Sequence, residues 1–222
     1  MLPLSPGSSS FREMPYPLLY ISYKDRISFS SIDGFSAEFP LLPRLQVGLG
    51  CFFNPGRSDD KDPRYRGWGG IGPALEPSLF VSYGGGPVQL TLEVKHDVGA
   101  SDGTYVDSKI DFRFPIAGKM FFDLAPQLVW QDDKAARSFF GVTEGQSATA
   151  AAEGFTIPSY EAYAGLCSLG VNMLGTVRLS DEWVIVTVLR LKEFMGSAAT
   201  SPLVEDDLQL DCGLFAAYHF RI

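Results

Sequence analysis

Long apolar runs, histidine and cysteine are all scarce in this sequence. No stretch of its 222 residues approaches the ~18 consecutive apolar residues that a membrane-spanning helix requires. The sequence has two histidines and three cysteines. These are too few for a Cys/His metal cluster, and an odd number of cysteines cannot all pair in disulfides. Cys51, Cys167 and Cys212 fall on the apolar face of predicted strands, where free thiols act as small hydrophobic groups. We therefore expect no metal, no disulfide and no cofactor.

Basic residues are also outnumbered. The chain carries 18 Lys and Arg against 26 Asp and Glu, which gives a net charge of -8. Because so acidic a chain has no clustered positive surface for phosphates, we expect no nucleic-acid partner. Residues Met1 to Gly7 also lack the basic segment, apolar core and cleavage site of a secretory signal. Any export signal is therefore expected upstream of Met1.

Alternating apolar and polar residues are what the sequence has in abundance. Every second residue is apolar from Val88 to Lys95, and the same holds, with one serine, from Val106 to Phe114. A β-strand sends successive side chains to opposite faces, so each run predicts a strand with one apolar and one charged face. Each run also meets the ~9–11 residues with which a tilted strand crosses a bilayer. The pattern predicts an all-β, antiparallel transmembrane barrel in the outer membrane of a Gram-negative bacterium.

Eleven strands follow from this alternation, with bounds uncertain by ~2–4 residues. They are predicted at 15–23, 26–32, 35–40, 44–53, 72–83, 87–97, 104–114, 119–131, 163–179, 183–192 and 207–222. Short turns mostly alternate with longer connections, which lie at 54–71, 98–103, 132–162 and 193–206, but the connection at Asp33-Gly34 is short where a longer one would be expected. Membrane barrels show this pattern, with short periplasmic turns and longer outer loops. The small residues at 147–152 predict either a turn or two of helix or a flexible segment.

An odd strand number conflicts with the even number usual in single-chain bacterial barrels. Counted back from the C-terminus, the first predicted strand begins at the outer end, whereas a barrel chain enters from the periplasm. We therefore expect about 12 strands in the full protein, with the signal peptide and first strand upstream of Met1. Residues 1–222 would form a single, N-terminally truncated barrel domain, with residues 5–13 as the first outer loop. Residues 218–222 look like the C-terminal signal for barrel assembly.

Charged residues of both signs occupy the interior face of the two alternating strands. They are Glu93, Lys95, Asp107, Lys109, Asp111 and Arg113. Opposite charges on neighbouring strands predict ion pairs that fill the interior. The alternative is a charged constriction that selects small solutes, because about 12 strands lie between filled and channel-forming barrels. Packing is the favoured interpretation of this row.

Two short patterns superficially match nucleotide-binding or catalytic sites. Residues 67–72 fit the glycine pattern of a dinucleotide fingerprint, but they follow a polar loop and precede Pro73 rather than a helix. Ser101, His96 and Asp97 lie close in sequence, yet His96 and Asp97 point to opposite faces of a strand. We therefore predict that the protein is not an enzyme, with a membrane lipid hydrolase as the less favoured alternative.

Three segments resemble the MipA/OmpV family of MltA-interacting proteins. The segment SFFGVTEGQS at 138–147 resembles the family's yFGVs..qs, and RLKEFMGSAATSPLV at 190–204 resembles its RL.GDAadSPiv. Residues 213–220 are similar to the closing gl.YrF. The order and spacing agree, although Ser197 and Thr200 stand where the family often has acidic residues.

The resemblance implies an outer-membrane barrel surrounded by outer-membrane lipid. For one branch of the family it implies a non-catalytic scaffold that brings a murein transglycosylase together with a bifunctional penicillin-binding protein. Such a scaffold would link peptidoglycan-remodelling enzymes. For other members the resemblance implies a small-solute porin, or a protein of adhesion or the osmotic response.

Overall fold

The described chain is built almost entirely of β-strands. The computed structural model describes residues 2–3, 7–8, 11–12, 19–24, 26–31, 34–57 and 65–218. Its strands are β1 (Leu2–Pro3), β2 (Phe11–Arg12), β3 (Tyr20–Tyr23), β4 (Ile27–Ser30), β5 (Gly34–Leu42), β6 (Leu45–Asn54), β7 (Ala74–Gly85), β8 (Val88–His96), β9 (Thr104–Ala117), β10 (Met120–Gln131), β11 (Gly165–Arg178), β12 (Trp183–Phe194) and β13 (Leu208–Tyr218). The helices are α1 (Asp133–Phe140), α2 (Glu144–Ala152) and α3 (Gly196–Ala199). Over the ranges described, no helix combines the length and apolarity needed to span a membrane.

Strands β3 to β13 form one antiparallel sheet. It has 11 strands, and each strand pairs with its neighbours in sequence. The sheet curls into a nearly closed barrel, so the predicted all-β antiparallel barrel is confirmed. Strands β1 and β2 form a separate two-stranded pair, and β2 lies in the segment predicted as the first outer loop.

Short and long connections lie at opposite ends of the barrel. The end with short connections, here termed the turn end, carries the turns at 24–26, 43–44, 86–87, 118–119 and 179–182. The other end, here termed the loop end, carries the connections at 31–33, 55–73, 97–103, 132–164 and 195–207. This segregation agrees with the pattern expected from the sequence.

The barrel wall is apolar outside and mostly polar inside. Along β7, outward Leu79 and Val81 are 57% and 41% exposed, whereas inward Ser78 and Phe80 are both 9% exposed. Strand β8 repeats the pattern, with apolar side chains such as Leu92 exposed and polar ones half-buried. A soluble protein hides such apolar rows in its core, so exposed rows on most strands are the surface expected of a lipid-facing wall.

Part of the interior is filled by aromatic side chains, for which a neighbouring strand makes room. Phe80 on β7 lies directly opposite Gly48 on β6. A Cβ atom at Gly48 would collide with the Phe80 ring, so only glycine admits the ring at this position. The large side chain of one strand therefore packs over the glycine of its neighbour inside the barrel.

The two edge strands of the sheet, β3 and β13, run in the same direction. Ten antiparallel pairings separate them, so both run from the loop end to the turn end. Within the described residues no pairing joins them. A single strand between them would be antiparallel to both. The predicted twelfth strand concerns sequence upstream of Met1 and stays a prediction.

The connections differ most from the sequence prediction. The segment predicted as a loop at 132–162 contains α1 and α2, and the one at 193–206 contains α3. Helix α1 follows an N-cap, Asp132, whose side chain accepts a hydrogen bond from the Ala135 amide at 2.9 Å. Helix α2 covers the small residues at 147–152, so the helical alternative for them is the observed one.

Some predictions fall outside the described residues. The start of the first predicted strand, 15–18, lies there, as does most of the assembly signal, 219–222. The remaining predicted strands agree with the observed ones within a few residues, although β4 is shorter than predicted.

Arginine placed on each face of β8 should distinguish the two sides of the wall. Leu92→Arg puts a charge on the exposed apolar face, and we expect it to destabilise the barrel by ~2–4 kcal/mol near the bilayer midplane. Thr91→Arg should cost less, because it faces the interior and loses mainly the hydroxyl contact with Ser82. Reversible urea unfolding in lipid vesicles measures both values. Equal costs for the two variants would contradict the assignment of the faces.

Candidate functional site

The interior charges meet in a network centred on Lys95. Its Nζ atom lies 3.4 Å from Glu93 Oε2 and 3.9 Å from Asp107 Oδ2. Asp107 also accepts a hydrogen bond from Gln127 Nε2. The Gln127 Oε1 atom accepts another from Asn172 Nδ2 at 2.6 Å. The network therefore links four neighbouring strands, β8 to β11, across the inner surface.

The charges nearer the turn end form separate pairs. Lys109 Nζ lies 3.7 Å from Asp111 Oδ2 on the same strand. Arg113 donates two hydrogen bonds to Asp123 on β10, at 2.8 and 3.2 Å. Each of the six interior charges predicted from the sequence thus has a partner of the other sign at 3.9 Å or less, although Lys95–Glu93 and Lys109–Asp111 pair along one strand rather than between strands. Such pairing neutralises the charges locally and fixes the side chains across the wall.

Exposure of the interior charges on β9 is greater toward the turn end. The side chain of Asp107 is 11% exposed, those of Lys109 and Asp111 are 41% and 37%, and that of Arg113 is 63%. At the loop end, Asp97 and Gln131 are 0% and 1% exposed. Water therefore reaches the interior from the turn end, and the loop end is covered.

The covering structure is built by the long connections and is here termed the cap. Its two apolar clusters consist of Tyr65, Trp68, Val142, Ala150, Ile157 and Leu203, and of Ala136, Phe140, Ala162, Cys167, Phe194 and Ala198. Helix α1 packs so closely that a Cβ atom at Gly103 would collide with Ala135. Long loops with an apolar core of their own are folded structures rather than mobile tethers.

Cys167 departs from the position predicted for it. The pairing of β10 with β11 is irregular between Val129 and Trp130 and skips Cys167. Such a bulge changes the direction of a side chain relative to a regular strand. Cys167 is consequently buried in the cap, whereas Cys51 and Cys212 remain on the barrel wall.

Hydrogen bonds tie the segment 138–147 to the segment 190–204 inside the cap. Ser201 Oγ donates to the Phe140 carbonyl at 2.7 Å, in a buried position. Tyr160 pairs with Val142 through two backbone hydrogen bonds of 2.8 Å. Its hydroxyl donates to the Ser197 carbonyl at 2.9 Å. Tyr160 therefore joins the two segments from the side opposite Ser201.

Further contacts fix the ends of the cap. Helix α2 begins with a capping box, in which Thr143 Oγ1 accepts from the Gln146 amide and Gln146 Oε1 accepts from the Thr143 amide. The Arg57 guanidinium lies 4.4 Å from the centre of the Tyr65 ring. The glycine-rich residues 67–72 lead from this contact into β7, so they do not connect a strand to a helix as a nucleotide fingerprint would.

Residues near the N-terminus also contact the cap. The Gly7 amide donates to Gln209 Oε1 at 3.1 Å, and the Gly7 carbonyl accepts from the Glu205 amide at 2.9 Å. Gln209 is an interior residue of β13 and is 5% exposed. This contact holds the N-terminal segment against the loop end of the edge strand.

The serine, histidine and aspartate considered as a catalytic set do not form a relay. Asp97 accepts hydrogen bonds from the Ser101 hydroxyl at 2.9 Å and from the amides of Ala100 and Ser101. His96 instead lies 3.1 Å from the Thr104 hydroxyl. Asp97 thus fixes the connection between β8 and β9. Among the described residues there is also no group of three or more His, Cys, Asp or Glu that could hold a metal ion.

A family model confirms the resemblance inferred from the three sequence segments. The model for MltA-interacting protein MipA matches residues 1–220, which is nearly the whole chain. The chain belongs to the MipA family. It is accordingly an outer-membrane protein of the MipA type. Searches of curated proteins and of solved structures return no match.

The MipA-like segments are explained by the packing of the cap. The Tyr160 hydroxyl lies 2.9 Å from the backbone carbonyl of Ser197 and 2.6 Å from Thr200 Oγ1. These are the two positions at which the family often has acidic residues. Sequence analysis missed the cap, although two local signals were present: the N-cap at Asp132 and the capping-box spacing of Thr143 and Gln146. The partners of Tyr160 had no such local signal.

Removing the central cation of the interior network should destabilise the barrel more than removing a peripheral one. Lys95→Met leaves Glu93 and Asp107 without their shared cation, and we expect a loss of about 1–3 kcal/mol in the free energy of unfolding. Lys109→Met breaks one more exposed pair and should cost less than about 1 kcal/mol. Equilibrium unfolding in detergent micelles checks both. A larger loss for Lys109→Met would contradict the central role of Lys95.

A single hydroxyl should control the rigidity of the cap. Ser201→Ala leaves the buried Phe140 carbonyl without that donor, and we expect a local loss of about 1–3 kcal/mol. Hydrogen exchange of the 132–164 amides should accelerate, and the barrel strands should keep their protection. Ser159→Ala, an exposed change in the same connection, is the matched control. Unchanged exchange in Ser201→Ala would show that the cap does not depend on this bond.

Proposed function

We propose that this MipA-family barrel is a non-catalytic outer-membrane scaffold for peptidoglycan-remodelling enzymes. Its first partner would be a murein transglycosylase, and the second a bifunctional penicillin-binding protein. The family match over residues 1–220 carries the proposal, because the family is described by its interaction with MltA. The penicillin-binding protein comes from the resemblance to one branch of the family alone.

The orientation of the barrel is part of this proposal. In bacterial outer-membrane barrels the short turns face the periplasm and the long loops face outward. We infer the same orientation here, which puts the cap outside the cell and the open end of the interior in the periplasm. The exposed apolar wall would contact outer-membrane lipid. Peptidoglycan lies on the periplasmic side, so its enzymes would approach the turn end.

The interior supports a scaffold better than an open channel. Buried Asp97 and Gln131 at the loop end show that the cap covers the interior there. The Lys95 network occupies the inner surface just below, with Asp107 11% exposed. A conducting pore needs a continuous aqueous path, and neither feature favours one.

Reconstitution with the partner enzymes tests the scaffold. We expect the barrel, immobilised in nanodiscs, to retain a purified murein transglycosylase, and to retain a bifunctional penicillin-binding protein more strongly when the transglycosylase is present. Ser159→Ala should behave like the unaltered protein, because this exposed loop-end serine lies far from the turn end. A column of nanodiscs without the barrel is the second control. If it also retains the enzymes after washing, their retention is nonspecific. No retention above empty nanodiscs would reject the scaffold role.

A small-solute channel is the second candidate, because charged side chains of both signs line the interior. Planar-bilayer recordings separate it from the scaffold. We expect no discrete conductance steps from the intact protein, since the cap covers the loop end. Reproducible steps that disappear when Lys95 is changed to Met, or change their ion selectivity, would instead establish a charged passage.

A further inference from the structure

Exposed basic side chains lie at the turn end of the barrel. Here termed the turn-end cations, they are Lys24, Arg26, Arg44, Lys119 and Arg178. All five are exposed. The acidic residues described at this end are Asp181 and Glu182, and Glu182 already accepts a hydrogen bond from Ser180. The turn end is therefore positive, although the whole chain carries a net charge of -8.

The turn-end cations differ from the interior cations in their partners. Lys95, Lys109 and Arg113 inside the barrel each pair with a carboxylate. No ion pair involves a turn-end cation within the part of the chain that the structure describes. Lys95, Lys109 and Arg113 are thus neutralised within the barrel, whereas the turn-end cations have no such partner among the described residues.

Outward-facing aromatic residues lie beside these cations. The Lys24 Nζ atom is 5.1 Å from the centre of the Tyr23 ring. Trp183 and Tyr218 meet edge to face, with ring centres 5.1 Å apart, where the Leu179 amide next to Arg178 donates to the Trp183 carbonyl. Tyrosine and tryptophan concentrate at the level of the lipid headgroups. Lys24, which contacts one of these rings, consequently lies at headgroup depth.

Their distribution around the barrel also favours lipid over a single protein. The turn-end cations belong to four hairpin turns, between β3 and β4, β5 and β6, β9 and β10, and β11 and β12. These turns are spread along the sheet rather than gathered in one patch. A flat protein surface would reach only some of them, whereas a shell of lipids reaches all.

We propose that the turn-end cations bind the phosphate groups of anionic phospholipids in the adjacent leaflet. A phosphodiester accepts charge-assisted hydrogen bonds from Lys and Arg, and such bonds strengthen near the low-dielectric hydrocarbon. The acidic loop end lacks this preference, so the two ends of the barrel select different surroundings. The inference rests on the proposed membrane insertion and is independent of the proposed enzyme partners.

Two triple variants with equal charge change test the inference. The first, Lys24→Gln, Arg44→Gln and Arg178→Gln, removes three turn-end cations. The control, Arg66→Gln, Lys134→Gln and Arg137→Gln, removes three exposed cations at the loop end. Each protein is placed in nanodiscs of phosphatidylcholine with phosphatidylglycerol, and native mass spectrometry counts the lipids of each kind that stay bound on release.

We expect the unaltered protein and the control to retain phosphatidylglycerol in preference to phosphatidylcholine. The first variant should bind phosphatidylglycerol on the order of a hundredfold more weakly, since each of the three basic residues near an anionic surface contributes roughly fivefold. High salt should reduce the preference of the unaltered protein, because it screens exposed charges.

Three results would overturn the inference. One is equal retention of both lipids by the unaltered protein, and another is an equal loss in both triple variants. The third is unchanged phosphatidylglycerol binding together with lost binding of a murein transglycosylase, which would assign the turn-end cations to a protein partner. Failure of the unaltered protein to enter nanodiscs would instead count against the proposed membrane insertion.

Discussion

The structure depends on one constraint, which is that backbone polar groups in hydrocarbon must be hydrogen-bonded within the protein. Antiparallel pairing from β3 to β13 meets this requirement strand by strand. The same pairing puts alternate side chains on opposite faces, so the apolar ones face outward and the polar ones meet one another. The charges around Lys95 are a consequence of this geometry, because inward side chains must find partners inside the wall.

The cap turns a barrel with two open ends into one that is closed at its loop end. Its apolar clusters and the bond from Ser201 to Phe140 cover an interior whose charges are increasingly exposed toward the turns. The segments that mark the MipA family lie largely in this cap. Their residues at 138–147 and 195–204 build the covering structure, so this part of the family pattern reflects packing at the loop end.

The two ends of the barrel differ in charge as well as in structure. Exposed cations lie at the turn end, one of them against an aromatic ring, whereas acidic residues predominate in the long connections. Because the charges around Lys95 are neutralised by their own partners, it is the difference between the two ends that molecules outside the barrel encounter. A partner at the turn end would therefore approach a positive rim and an open, polar interior.

The sequence by itself determined the wall. From Val88 to Lys95 the period of two is a local property of a strand, so the faces and the six interior charges could be assigned without knowledge of the fold. Only the tertiary structure decided the cap and the partners within the interior. Ser201 and Phe140 are 61 residues apart, and Cys167 turns inward at a bulge that depends on the pairing of β10 with β11. Contacts of this kind follow from which strands and loops come together, and no local pattern encodes them.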